Sequence, residues 1–116
     1  MTSFHHRKLP DHSGLLSGRV PPDELGFQSD RLQIWFNHTD ENWTDLAPHI
    51  HTESDECFIA LEGSIEIEVN GERKTIGPRE FCCFPAGMPH AVLSMSPPVE
   101  TLMIRAPSID DKRYLP

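Results

Sequence analysis

Residues 65–69 constrain the fold more tightly than any other stretch. Ile65, Ile67 and Val69 alternate with Glu66 and Glu68, the period of two by which a strand turns one face to a core and the other to water. Asn70-Gly71 follows at once. Both central residues of a two-residue hairpin turn need positive φ, and this dipeptide accepts it at little cost. The chain is therefore expected to return through 72–76, with Glu68 facing Arg73 and Ile65 facing Ile76. Opposite charges across such a pair stabilise it by roughly 0.2–1 kcal/mol.

The rest of the chain repeats the pattern of short apolar runs cut by turn residues. Strands are expected at 32–37, 81–84, 90–95 and 101–106, with turns at Gly77-Pro78, 85–89 and Ser96-Pro97-Pro98 and a polar loop at 37–45. Residues 1–31, broken by Pro10, Gly14, Gly18, Pro21 and Pro22, read as an N-terminal arm with room for one added strand or a short helix around 23–30. Residues 32–116 then form the body, with a short C-terminal tail in which Ser108 and Asp111 have the spacing of a helix cap. Closely spaced strands and no long helical period predict an all-β fold, a small antiparallel barrel or sandwich. A barrel lines its interior with every second residue, so reactive groups belong on inward positions.

Charge narrows the function classes. Eighteen acidic residues against ten Lys and Arg give a net charge of -8, which argues against nucleic acid and anionic membranes as partners. No apolar run approaches the roughly 20 residues of a membrane span, and the first residues lack the apolar stretch of a signal peptide. Three cysteines cannot all pair within one chain, and the expected state is free thiols in a reducing cytoplasm. Between Leu32 and Glu72 there are ten Asp or Glu and no Lys or Arg, a field suited to a cation.

Against that background the histidines matter. His49 and His51 are two apart, which on a strand puts both imidazoles on one face. Glu56 follows at the head of an apolar run, and His90 opens a later strand. Three imidazoles and a carboxylate suit a divalent transition metal. On an octahedral ion they leave two positions open, whereas on a tetrahedral ion they close the site. His5, His6 and His12 in the arm and His38 in a loop are expected in solvent. Phe58 shares the face of Glu56 and is expected to line the cavity, with Val92 and Ser94 on the strand after His90. Cys57, next to Glu56, should point away from the cavity as a shielded thiol, and one of Cys82 and Cys83 should face inward. Arg105, in the last strand, is expected at an exposed rim or edge, with anchoring of a substrate carboxylate as the alternative.

Pro48-His49-Ile50-His51, Glu56 and Gly63 resemble the first motif of the cupin superfamily, and Pro85-Ala86-Gly87-Met88-Pro89-His90 resembles the second. Trp43, Arg79-Glu80 and Ser94 depart from the family pattern without removing a ligand. The resemblance implies a double-stranded β-helix, or jelly-roll, barrel. It also implies one divalent transition metal per chain (Mn, Fe, Co, Ni, Cu or Zn) held by His49, His51, Glu56 and His90, and a homodimer. Cupins span dioxygenases, decarboxylases, isomerases and ligand-sensing modules, so the fold alone does not choose a reaction. The expected function is a metal-dependent enzyme acting on a small organic substrate, with oxygenase-like chemistry ahead of isomerase or decarboxylase chemistry. The alternative is a non-catalytic small-molecule binding or sensing module. No catalytic residue beyond the metal set is legible.

Overall fold

The computed structural model describes residues 4–116. They form nine strands: β1 Gly14–Gly18, β2 Phe27–Gln28, β3 Gln33–Thr39, β4 Asp45–His51, β5 Asp55–Val69, β6 Glu72–Ile76, β7 Phe81–Phe84, β8 His90–Ala106 and β9 Lys112–Tyr114. Among the described residues no helix forms.

The β5–β6 hairpin has the register that its sequence demands. Ile65 pairs with Ile76, Glu68 with Arg73 and Val69 with Glu72, around Asn70 and Gly71 at φ of 51° and 85°. Arg73 reaches diagonally, however, and its Nη1 bonds Glu66 Oε1 at 3.3 Å rather than Glu68. Ile65 and Ile67 are buried, and the intervening glutamates are not.

Two long strands, β5 and β8, carry the architecture. The first half of β5 pairs with β7 and with the second half of β8, whose other edge pairs with β3. The second half of β5 pairs with β6 and with the first half of β8, whose other edge pairs with β4. The result is a jelly roll of two arrays that share bent strands. One core cluster joins them, with Ile65, Ile67, Val92 and Met95 meeting Phe84, and Phe58 and Cys82 packed alongside. The sheet does not close into a barrel. Its path runs β2-β1-β3-β8-β4-β9 and ends at two edges, while β6 and β7 pair with β5 alone.

The bend of β5 lies at Gly63, where the register breaks between Ala60 and Ser64. Gly63 has φ of +71°, and a Cβ there would overlap the Pro98 carbonyl oxygen and lie 2.8 Å from that of Ser96. The two bends are thus pressed backbone to backbone, which a side chain would forbid.

Several expectations are corrected. Residues 23–30 contain a turn and the two-residue β2 rather than a helix, and β1 and β2 pair in parallel. The expected 37–45 loop begins later, because β3 runs on to Thr39. Residues 108–111 do not start a helix. Cys57 and Cys83 are not free: they face each other across β5 and β7 and form a disulfide. Alternation places that pair on the outer face while Cys82 and Phe84 turn inward. Cys57 therefore points away from the cavity, but as a bonded sulfur and not a shielded thiol. The pairing removes the argument from free thiols to a reducing compartment. Cys82 alone is free, and burial pushes its thiol pKa up.

Candidate metal centre

The centre is assembled where β4 lies between β8 and β9. His49 pairs with His90 on one side and Tyr114 on the other. Glu56, second residue of β5, pairs with Phe84 on β7 and with Arg105 on β8. These registers bring His49, His51, Glu56 and His90 together, all buried, with one potential ligand atom from each lying within 4.8 Å of the others. The four residues could hold a metal ion.

Two of the three imidazoles are held by their second nitrogen. His90 Nδ1 donates to the Met88 carbonyl at 3.0 Å, which turns Nε2 toward Glu56 Oε1 at 3.1 Å. The Phe84 ring stacks on His90 with centroids 4.0 Å apart and planes 2° from parallel. His51 Nδ1 lies 3.3 Å from Asp111 Oδ1, and its Nε2 lies 3.0 Å from Glu56 Oε2 without hydrogen-bond geometry. His49 Nδ1 is 3.7 Å from Asp45 Oδ2, beyond bonding distance, and Lys112 Nζ holds that same oxygen at 2.7 Å.

Two buried nitrogens, His49 Nδ1 and His51 Nε2, have no hydrogen-bond partner. Leaving a buried polar atom unpaired costs about 1–3 kcal/mol, and a bound ion is one standard resolution. The donor set agrees, since imidazole and carboxylate are ligands for first-row transition ions. The residues therefore fit the metal that the sequence motifs imply.

Charge is finely arranged. Burial would raise the Glu56 pKa, but the close His51 and His90 imidazoles and the Arg105 guanidinium outweigh it and hold the carboxyl well below the usual range. Arg105 does this with Nε at 3.1 Å and Nη2 at 2.6 Å, both on Oε2. Arg105 is thus no rim residue but the half-buried partner of Glu56. Burial, with neighbouring His90 and Lys112, lowers the His49 pKa to about 4, which keeps the imidazole neutral and its lone pair available.

A cavity of about 440 Å³ opens onto the cluster, with His49, Glu56 and His90 in its wall. Trp35, Phe58, Val92, Met95 and Met103 supply apolar wall, and Arg105 and Lys112 supply cationic groups. Phe58 and Val92 lie where alternation puts them. Ser94 does not line the cavity. Between the pairs Glu66–Ser94 and Ile67–Val92 strand β8 carries one extra residue, and this bulge hands the inward place to buried Met95. His38 is also displaced from expectation. It sits on β3, half-buried, with Nδ1 3.1 Å from Glu100 Oε2, and reaches the cavity wall. His5, His6 and His12 are exposed.

Asp45, Lys112 and Asp111 were not legible as site residues. Asp45 sits in an acidic stretch with no distinguishing spacing, and Asp111 is 60 residues from the histidine it faces.

Comparison with known proteins places this geometry. The family described as "Cupin domain" matches residues 38–105. A curated relative, an uncharacterized protein of Aquifex aeolicus (strain VF5), is 33% identical over 69 residues, which are 60% of this chain and 57% of that protein. The chain thus spans little more than half the length of that relative. Among solved structures, the DMSP lyase DddQ from Ruegeria pomeroyi DSS-3 superposes with a TM-score of 0.68 at 23% identity, over 88% of this chain and 50% of that one. KdgF from Halomonas sp. gives 0.65 at 17% identity, over 90% and 89%. Pac13, described as a nucleoside dehydratase, gives 0.63 at 12% identity, over 75% and 70%. A Streptomyces variant of it is seen with uridine. At these identities the structures share the fold.

Proposed function

The chain belongs to the cupin domain family, and on that premise we propose that it is a metal-dependent enzyme acting on a small organic molecule that carries an anionic oxygen group. One observation carries the reading. Three buried imidazoles and a buried carboxylate converge with two ring nitrogens left unpaired, and His49, Glu56 and His90 of that cluster face a cavity of about 440 Å³.

In this reading His49, His51, Glu56 and His90 hold one divalent transition ion. When bound, such an ion polarises an oxygen of the substrate as a Lewis acid. The chain's own residues do the remaining work. Trp35, Phe58, Met95 and Met103 exclude water and take an apolar body. Arg105 and Lys112 are neutralised by Glu56 and Asp45, so the protein alone presents a balanced set of charges. A divalent ion added to that set leaves it positive, which favours an anionic occupant. The fold-level likeness to a lyase and a dehydratase gives no support to oxygenase chemistry in particular.

The test is metal content and turnover together. Chelated protein is reloaded separately with Mn, Fe, Co, Ni and Zn and assayed against a panel of small carboxylates and enols. One ion per chain is expected. Ala at His51 or His90 should lower occupancy at least tenfold and abolish turnover, while Ala at exposed His12 should change neither. Stoichiometric metal in a His51→Ala, His90→Ala double variant would remove the ligand assignment. Metal and ligand binding without turnover across the panel would return the site to a binding module.

A further inference from the structure

We propose that Asp111 is the positioning residue of the centre, fixing the His51 tautomer that leaves Nε2 free to take a metal ion. This rests on the metal reading above. Asp111 lies outside residues 38–105, which match the family, in the segment that leads into β9. It is 4% exposed. Its Oδ2 accepts from the backbone N–H groups of Glu53 at 2.8 Å and Ser54 at 2.7 Å, and its Oδ1 lies 3.3 Å from His51 Nδ1.

Those donors belong to the turn between β4 and β5, so one carboxylate ties the end of the strand that carries His51 to the start of the strand that carries Glu56. An ionised carboxylate only accepts. Of the two ring nitrogens that face carboxylates, only Nδ1 has hydrogen-bond geometry, toward Asp111; Nε2 lies 3.0 Å from Glu56 Oε2 without it, so the proton belongs on Nδ1 and in the neutral ring Nε2 keeps the lone pair. That nitrogen is the buried, unpaired one. Outer carboxylates of this kind set the ring orientation and raise the basicity of a metal-binding imidazole. Neighbouring contacts steady the same segment: the Thr52 N–H donates to the Asp111 carbonyl at 3.2 Å and the Leu115 N–H to that of Pro48 at 3.1 Å.

Asp111→Asn separates this role from a structural one. Two backbone donors require an oxygen at the Oδ2 place, which turns the new NH2 toward His51. A donor there makes Nδ1 the acceptor and moves the proton to Nε2, so the coordinating nitrogen is blocked. Asp111→Ala loses both backbone bonds but leaves the ring free to choose its tautomer. The expected order is crossed. Asp111→Asn should weaken zinc binding by about 10–100-fold while unfolding at a higher temperature than Asp111→Ala, whose zinc affinity should fall less. Chelator competition gives the affinities and calorimetry of the metal-free proteins gives the stabilities. In the zinc-loaded wild type, nitrogen-15 correlation spectra should show the His51 proton on Nδ1. Affinities that follow stability, with Asp111→Ala the weaker binder, would overturn the proposal, as would a His51 proton on Nε2. A wild-type chain that holds none of Mn, Fe, Co, Ni and Zn would overturn the metal reading itself.

Discussion

At the scale of single residues, His49 makes the metal-free protein sensitive to mild acid. Its imidazole is buried and held near a pKa of about 4, first by burial and then by His90 and Lys112. In the unfolded chain it titrates near its ordinary value of about 6.5. Between those two values the unfolded state binds a proton that the native state refuses, so stability falls as pH falls. The loss between pH 6.5 and 5 should be about 1.5 kcal/mol. Glu56 and Asp111 are depressed carboxylates, whose contribution is present above the unfolded carboxyl range and is lost only below it. They leave this window to His49. Urea midpoints of chelated protein should therefore drop from pH 6.5 to 5, and His49→Gln should flatten the slope. An equal slope in that variant would assign the acid sensitivity elsewhere. The same residue shows why the ligands were readable and their supports were not. His49, His51 and Glu56 sit within eight residues, where strand alternation fixes their relation. Asp111 and Arg105 reach His51 and Glu56 only through pairings between distant segments, and no local spacing encodes that.

At the scale of elements, the bend of β5 should be the least forgiving turn in the chain. Gly63→Ala combines a left-handed backbone with overlap against the Pro98 carbonyl. The left-handed conformation alone costs a side chain about 1–2 kcal/mol, and moving the β8 bend adds to it. Gly71→Ala meets the first cost only, since nothing lies within 4 Å of its Cβ. Denaturant titration should place Gly63→Ala at least 1 kcal/mol below Gly71→Ala, and equal losses would show that the two bends are not in contact. Elements built from local chemistry were legible, such as the hairpin, whose register follows from alternation and a two-residue turn. Those overridden by tertiary bonds were not. Ser108 and Asp111 have cap spacing, yet the Ser108 N–H donates to the Asp30 carbonyl and Asp111 accepts from Glu53 and Ser54. A side chain that caps a distant segment cannot also cap its own helix. The Ser94 expectation failed for a related reason, since a single-residue bulge inverts every later face of a strand and leaves no mark in the alternation.

At the scale of the molecule, the sharing of β5 and β8 by both arrays predicts how the fold comes apart. In a sandwich of independent sheets one layer can loosen before the other. Here the first half of β5 belongs to the array with β3 and β7, and its second half to the array with β4 and β6. Melting either array would expose the cluster of Ile65, Ile67, Phe84, Val92, Met95 and Val99 that joins them, so neither can open alone. Metal-free protein should therefore unfold in one cooperative step. Tryptophan emission, which reports Trp35 on β3 and Trp43 before β4, should share a midpoint with far-ultraviolet dichroism. Hydrogen exchange should give both halves of β5 and β8 the same high opening free energy, with β2 and β9, the ends of the sheet path, exchanging from smaller fluctuations. Refolding should be slow for the length, in milliseconds to seconds, because the pairings join distant segments. Two separated midpoints, or one half of β5 exchanging well before the other, would mean that the arrays are separable units and that the bend at Gly63 is a hinge rather than a clamp.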